Sequence, residues 1–465
     1  MIDSERYDAV ILGAGTAGVL LAWHLGAAGQ RVAVVEQRYV GGSCPNIACL
    51  PSKSFIHSAE VAHVVATGHG FGVNTTGAAV SMPVVQSRKG AMVRGLIGIY
   101  LDNFDRTGSE LVMGRGTFVD ERTLEVALND GGTRTLRGDR MFLDLGSTAI
   151  MPKLAGLAES KPMTHVELLD LDVVPEHLLI YGGGYIALEF AQAMCRLGSR
   201  VTVIERGERI LHREDDDIAH AVLDLLLEEG VEVVTSAHID RVTGRSGEGV
   251  TLYGDVAGVE RAIEGSHLLV AVGKFPDTGG IGLERAGVAL TASGHVQVNA
   301  RLETTAEAVW AMGDCAGSPA FTHMSHDDFR IVRDNLAGGD RSTVGRHVPN
   351  CLFLDPELAS VGLNEREAHR RGIGYRLAEL PYSEIWRSHS TGRMRGKMKV
   401  LVGTDDRILG FTAFGAQAGE LLPTVQIAMN AGLPYQMVAG LITAHPTYAE
   451  GLSELFMRVP PHDPT

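Results

Sequence analysis

Short apolar runs alternate with segments of helical period along the first half of the chain. Tyr7 to Leu12 (Tyr-Asp-Ala-Val-Ile-Leu) has the character of a strand buried on both faces. Gly13-Ala-Gly15-Thr-Ala-Gly18 follows, then a helical pattern to about Gly29 and a second apolar run, Arg31 to Val35, ending at Glu36. The order recurs. Leu178 to Tyr181 leads into Gly182-Gly-Gly184-Tyr-Ile-Ala187, a helix to Leu197, and a strand, Arg200 to Ile204, ending at Glu205. First glycine to terminal acid spans 23 positions in both copies (36 − 13 and 205 − 182). Between them, Ser81 to Thr107 has the period of a helix carrying Tyr100, followed by β-rich segments to about Leu145. Val231 to Val270 alternates like a meander. Near 273 the pattern returns to the first unit through Gly273-Lys-Phe-Pro276 and Val309-Trp-Ala-Met-Gly-Asp314, with a helix over Thr322 to Asn335. From Val348 a separate unit of strands and amphipathic helices ends in Thr443-Ala-His445-Pro-Thr-Tyr-Ala-Glu450 and a final helix.

The repeated strand, glycine turn, helix, strand and acid predict two Rossmann-like dinucleotide units in an α/β protein. Gly13, Gly15 and Gly18, and in the second copy Gly182 and Gly184, allow a tight turn and close approach of a pyrophosphate to a helix N-terminus. Glu36 and Glu205 are placed to take a ribose hydroxyl. Two such units imply two dinucleotides and an electron path between them. The expected organisation is a first dinucleotide domain over 1–148, a second over 149–272, a return to the first over 273–345, and a C-terminal α+β domain over 346–465.

Composition narrows the function. Over 465 residues, 41 basic residues face 56 acidic ones, a net charge of −15. An acidic chain without basic blocks argues against nucleic acid or an anionic membrane as partner. No apolar run approaches the length of a membrane span, and the chain starts straight into a strand with no signal-like segment. Five cysteines are few and odd for a secreted disulfide scaffold, so a cytoplasmic protein with one redox pair and no resident metal is expected.

That pair is Cys44 and Cys49, in Gly41-Gly-Ser-Cys-Pro-Asn-Ile-Ala-Cys-Leu-Pro-Ser-Lys53. An ideal helix would hold positions i and i+5 roughly 8 Å apart, beyond the ~7 Å a disulfide tolerates. The pair closes only if the first turn is distorted, or if Cys44 precedes a helix that begins at Pro45. A cysteine at a helix start has its thiolate stabilised by free N–H groups and the macrodipole.

Both glycine motifs, the cysteine pair with Pro-Ser-Lys53, the Gly-Asp314 pair and the terminal His445-Pro-Thr-x-x-Glu450 together resemble the flavin-dependent pyridine nucleotide–disulfide oxidoreductases. That family includes glutathione reductase, dihydrolipoamide dehydrogenase and mercuric reductase. The second half is similar to its bacterial reactive-chlorine-resistance branch in Trp310 to Asp314, Asp327 to Val332 and Ala431 to Tyr435. The resemblance implies FAD held by Gly13, Gly15, Gly18, Glu36, Gly42, Ser43, Gly146, Gly273 and Asp314, with Asp314 on the ribityl chain. It places Lys53 near the flavin N5, paired with Glu189, and gives NADH or NADPH to Gly182, Gly184 and Glu205. Cys49 becomes the thiol facing the flavin and Cys44 the interchange thiol. His445, polarised by Glu450, acts on Cys44 from the partner subunit of a homodimer. Cys195, Cys315 and Cys351 are read as inert.

The departures bear on substrate. Trp23 stands where glutathione reductase places an arginine for a carboxylate, and Tyr100 matches an aromatic of that pocket, which argues against glutathione. Trp23 as plain helix packing is an equal alternative. Mercuric reductase's C-terminal cysteine pair is absent from a chain ending Pro-Pro-His-Asp-Pro-Thr. Glu205 favours NADH, whereas Ala187, Arg206 and Arg209 follow the pattern of NADPH-using relatives; the balance leans to NADH. The expected activity is NAD(P)H-dependent reduction of a small disulfide or thiol-reactive oxidant. The alternatives are a dihydrolipoamide dehydrogenase, or a flavin-centred quinone or metal-ion reductase or NADH oxidase.

Overall fold

The computed structural model describes residues 4–75, 77 and 79–462. At its centre the Glu5–Leu12 strand lies between two parallel neighbours, Val32–Glu36 and Thr133–Leu143, so that Leu12 is level with Val35 on one side and Leu143 on the other. Its last residues, Ala9 to Leu12, are buried, which is why they form an unbroken apolar run. Glu110–Asp120 extends the sheet beyond Val32–Glu36, and Val309–Ala311 extends it beyond Thr133–Leu143, both parallel. Thr123–Leu128 bridges Glu110–Asp120 and Thr133–Leu143 antiparallel.

Eight helices cover or follow these strands: α1 (Thr16–Ala27), α2 (Ser43–Asn46), α3 (Cys49–Thr67), α4 (Met82–Thr107), α5 (His165–Leu169), α6 (Tyr185–Arg196), α7 (Asp216–Glu228) and α8 (Thr322–Leu336). α1 packs against α8 and α4, and α3 lies against both α4 and α6. The second unit is a four-stranded parallel sheet in the order His267–Val270, His177–Tyr181, Arg200–Ile204, Glu232–Val234. The alternating 231–270 stretch is therefore not one meander. Its two ends join this parallel sheet, and only Ala237–Arg245, Gly249–Val256 and Val259–Gly265 form a three-stranded antiparallel layer. Period alone could not separate them, because a strand buried on one face alternates the same way in either sheet.

The chain leaves the first unit through Ser147–Ala149 and comes back through Lys274–Pro276, and these two segments pair antiparallel. The crossing sets Gly146 and Gly273, both at positive φ (71° and 129°), at the same junction. The C-terminal unit is a five-stranded antiparallel sheet with Ala418–Asn430 and Glu450–Met457 packed against it. Lys399 on its Lys397–Val402 strand is buried and meets Asp215 and Asp217 (3.1 Å each) at the start of α7, and Glu365. The three acids would otherwise suit a cation, and the ammonium occupies their centre.

Candidate active site

The cysteine loop sits directly on the first glycine turn. Gly41 and Gly42 take φ of 88° and 73°, and a Cβ on Gly42 would stand 2.8 Å from Gly15 Cα, so no side chain fits there. Asn46 donates from its amide to the carbonyls of Val40 (2.9 Å) and Gly42 (2.7 Å), which closes the loop on itself. Cys44 lies inside the four-residue helix α2, the chain breaks at Ile47 and Ala48, and α3 begins at Cys49. Of the two arrangements the spacing allowed, this is the distorted start and not a helix beginning at Pro45. It is Cys49, not Cys44, that heads a long helix, and the break between two helices lets the sulfurs meet.

The two thiols are electrostatically unequal. Cys49 shares a hydrogen bond with Cys44, lies 3.2 Å from the Thr322 hydroxyl at the start of α8, and feels the ammonium groups of Lys53 and Lys274. These lower its thiol to about 6 against the opposing effect of burial. Cys44 is pushed the other way, first by the bond and then by desolvation and the charge on Cys49. One negative charge is thus held by the pair, on Cys49.

Lys53, one turn into α3, places Nζ 2.6 Å from Glu189 Oε2 on α6, and Glu189 Oε1 accepts the Phe353 N–H at 2.9 Å. The Phe353 ring lies 4.6 Å from the same ammonium. One ion pair therefore ties together the helix of the cysteines, the second dinucleotide unit and the C-terminal unit.

The two glycine loops are anchored alike. Gly13 and Gly182 take φ of 101° and 122°, and a Cβ on either would collide with a carbonyl at the end of the neighbouring strand, of Asp144 (2.2 Å) or Ala271 (2.4 Å). Glu36 accepts the Ala14 N–H at 2.8 Å and Glu205 accepts the Gly183 N–H at 2.7 Å, with their second oxygens on backbone N–H groups beyond each strand. α1 and α6 open at Gly15 and Gly184, where first-turn N–H groups lack partners inside the helix. The residues around Gly13–Gly18 fit a dinucleotide of the FAD class: a cradle that a Cβ would fill, a helix start for the pyrophosphate and a fixed acid for the ribose. Asp314 follows the Val309–Ala311 strand, accepts a hydrogen bond from the Ser147 hydroxyl and lies 3.9 Å from Lys274.

Tyr100 packs on Gly41 close to Cys44, and burial raises its phenol pKa. Trp23 stands one ring further back, 5.3 Å from Tyr100 and 5.9 Å from Phe104, with its indole N–H buried and unbonded. Among the described residues, no hydrogen bond joins His445 to either thiol. His445 Nδ1 is 2.9 Å from Glu450 Oε2, and its side chain is 66% exposed while Glu450's is 11% exposed. The chain thus gathers Cys44, Cys49, Lys53, Glu189 and Tyr100 with the first glycine loop, and presents the His–Glu pair outward. Thr322, Lys274, Phe353, Ser147 and Asn46 were missed by the sequence reading. Only Lys274 and Ser147 carried a signal, each adjoining a glycine already assigned to the cofactor.

Residues 7–328 match the family model described as pyridine nucleotide-disulphide oxidoreductase, and residues 348–456 match the dimerisation domain of that family. The chain is 34% identical over 462 residues to the probable pyridine nucleotide-disulfide oxidoreductase RclA of Escherichia coli (strain K12), covering 98% of this chain and all of the relative. It is also 34% identical to a mercuric reductase of Streptomyces lividans, over 96% of this chain and 94% of that one. A solved Cu(II) complex of the HOCl-induced flavoprotein disulfide reductase RclA from Escherichia coli superimposes with a TM-score of 0.88 at 33% identity, covering 97% of this chain and 99% of the other. The likeness seen in the second half of the sequence extends over the whole chain.

Proposed function

The chain belongs to the pyridine nucleotide-disulphide oxidoreductases, FAD-dependent enzymes that use NAD(P)H, and from that premise we propose that it is an NADH-dependent reductase of a small disulfide or thiol-reactive oxidant. The observation that carries this reading is the asymmetric dithiol: Cys49, favoured as a thiolate by its hydrogen bond to Cys44 and by Thr322, Lys53 and Lys274, with Cys44 beside it and close to Tyr100. Gly13, Gly15, Gly18, Glu36, Gly42, Ser43, Gly146, Gly273 and Asp314 would hold FAD, with Lys53 and Glu189 beside its flavin; when bound, FAD relays two electrons from the nicotinamide to the Cys44–Cys49 disulfide. Cys44 then attacks the oxidised substrate and forms a mixed disulfide, releasing one reduced half. Cys49 attacks Cys44, regenerates the internal disulfide and releases the second half. His445 of the partner subunit takes the Cys44 proton and returns it to the leaving thiolate, with Glu450 fixing its tautomer. NAD(P)H, a proton and one disulfide thus become NAD(P)+ and two thiols.

Pairing of two chains is supported by the family's dimerisation domain and by exposed apolar side chains, Val64, Phe71 and Ile99 in the first unit and Ile427, Met437 and Ile442 in the C-terminal unit. Among the described residues, no helix is long and apolar enough to cross a membrane.

Anaerobic titration with NADH tests the reading. After two electrons a long-wavelength thiolate–flavin charge-transfer band is expected, and direct bleaching of the flavin would overturn the role of the dithiol. Because the charged form of Cys49 is the favoured one, the band should persist above pH about 6 and fade as the pH falls through about 6. A band that kept its intensity well below that point would contradict the assignment of the thiolate.

The lean to NADH rests on Glu205, which copies the pose of Glu36. Its carboxylate would meet a 2′-phosphate head-on. Arg209 offers no compensation: its guanidinium is bonded to Asp216 and to the carbonyls of His212 and Glu214. Glu205→Ala should shift the NADPH/NADH ratio of kcat/KM upward by about tenfold or more, the effect of removing one close charge repulsion. Steady-state kinetics with both coenzymes decides it, and an unchanged ratio would sink the argument.

A second reading is favoured by the Cu(II) complex of the E. coli relative: a metal ion as the final acceptor. Cupric turnover that survives Cys44→Ser would support electron delivery from the flavin rather than from the dithiol.

A further inference from the structure

Asp144 follows the Thr133–Leu143 strand and stands beneath the first glycine loop. Its backbone N–H bonds the Leu12 carbonyl at 2.9 Å, and its Oδ2 accepts the Gly18 N–H at 2.7 Å. A Cβ on Gly15 would lie 2.6 Å from Oδ2, and one on Gly313 would lie 3.2 Å from Oδ1. One buried carboxyl is therefore enclosed between the Gly13–Gly18 turn and the Gly313–Asp314 turn, the two loops that line the dinucleotide cradle. The titratable groups that face it are Glu36 at the end of the adjacent strand, Asp314 and Cys315 in the Gly313 turn, and Asp328 on α8. The cations beside these acids are engaged with them. Arg346 bonds Asp328 at 2.6 Å, Lys274 lies 3.9 Å from Asp314, and among the described residues no cation pairs with Asp144.

A helix start favours an anion by its free N–H groups and dipole. A carboxylate lodged behind that start, among three other acids, would repel the two negative charges of a pyrophosphate. We propose that Asp144 is a cofactor-binding residue that acts in its protonated form, so that FAD binding fixes one proton on its carboxyl. As an acid, Asp144 keeps the Gly18 N–H on Oδ2, removes the repulsion and has one O–H to donate toward the cradle. The inference rests on the assignment of this loop to FAD. Burial, with the charges of Asp314, Asp328 and Glu36, already pushes the carboxyl up to about 7, and the pyrophosphate charges would push it higher still. The sign follows. FAD affinity is full below the value of the free protein, about 7, and declines as the pH rises above it.

The test uses deflavinated protein titrated with FAD, followed by quenching of flavin fluorescence from pH about 6 to about 9, the range that brackets the expected titration. The Kd should be flat at the acid end and rise about tenfold per pH unit above about 7, and Asp144→Asn should bind FAD with no such slope. Calorimetry of the unmodified protein at pH about 8, in two buffers of different ionisation enthalpy, should count uptake of about one proton. An equal slope in Asp144→Asn, or no proton uptake by the unmodified protein, would overturn the inference. The proton count decides it if the variant does not fold. FAD that failed to bind at every pH would instead overturn the assignment of the loop, and this inference with it.

Discussion

Cys44→Ser should lower turnover with disulfide substrates by about a thousandfold or more, the scale on which loss of an enzyme's nucleophile is felt, while NADH still reduces the flavin at close to its normal rate. The two halves of the reaction use different residues. In the function proposed above, the second glycine loop and the Lys53–Glu189 pair serve coenzyme and flavin, whereas Cys44, the thiol near Tyr100, meets the substrate. A serine keeps the shape of the loop, because Asn46 and the glycines hold it through backbone contacts. Without a partner sulfur, Cys49 cannot form the internal disulfide, so its thiolate should face the oxidised flavin permanently. The variant should show the charge-transfer band before any reductant is added. Stopped-flow reduction, steady-state turnover and the resting spectrum together check this. Disulfide turnover near the original rate would overturn the assignment of Cys44.

His445→Ala should lower turnover by about 10²- to 10⁴-fold, the contribution of a positioned acid–base group, and should be rescued by mixing with Cys44→Ser. The side chain of His445 is mostly exposed and bonds none of the described thiols of its own chain. In a two-fold dimer whose sites borrow His445 across the interface, a mixed dimer of the two inactive variants keeps one complete site: the intact Cys44 of one chain with the intact His445 of the other. Co-expression with two tags and purification through both should recover about half the activity of the unmodified dimer, one site of two. If His445 served its own chain, the mixed dimer would be as inactive as its parents. This second result would overturn the inter-subunit site while leaving the dithiol chemistry standing.

The parts legible in the sequence share one property: they depend on residues close together in the chain. The Gly13 and Gly182 turns, their acids 23 positions on, the Cys44–Cys49 spacing and the His445–Glu450 pair each need only local geometry. Steric rules at glycine, the period of a buried strand and the reach of a side chain over five residues are readable in one dimension. The burial of the Glu5–Leu12 strand was legible for the same reason, since an unbroken apolar run demands cover on both faces.

What only the tertiary structure decided is which distant groups converge on that local chemistry. Thr322 reaches Cys49 across 273 positions, Phe353 reaches Glu189 across 164, and Asp144 reaches Gly18 across 126. None of these has a period or spacing of its own, and each acts through a field or hydrogen bond whose strength depends on burial and distance in space. The start of the α3 helix at Cys49, the sharing of one charge between two thiols and the commitment of Arg209 to its own loop were likewise settled by packing. The sequence by itself therefore determined the family's local motifs and named the candidates for reacting atoms and cofactor cradles. The fold determined which sulfur carries the charge and which acids and bases surround it, because electrostatic energies are set by positions in three dimensions and not by order along the chain.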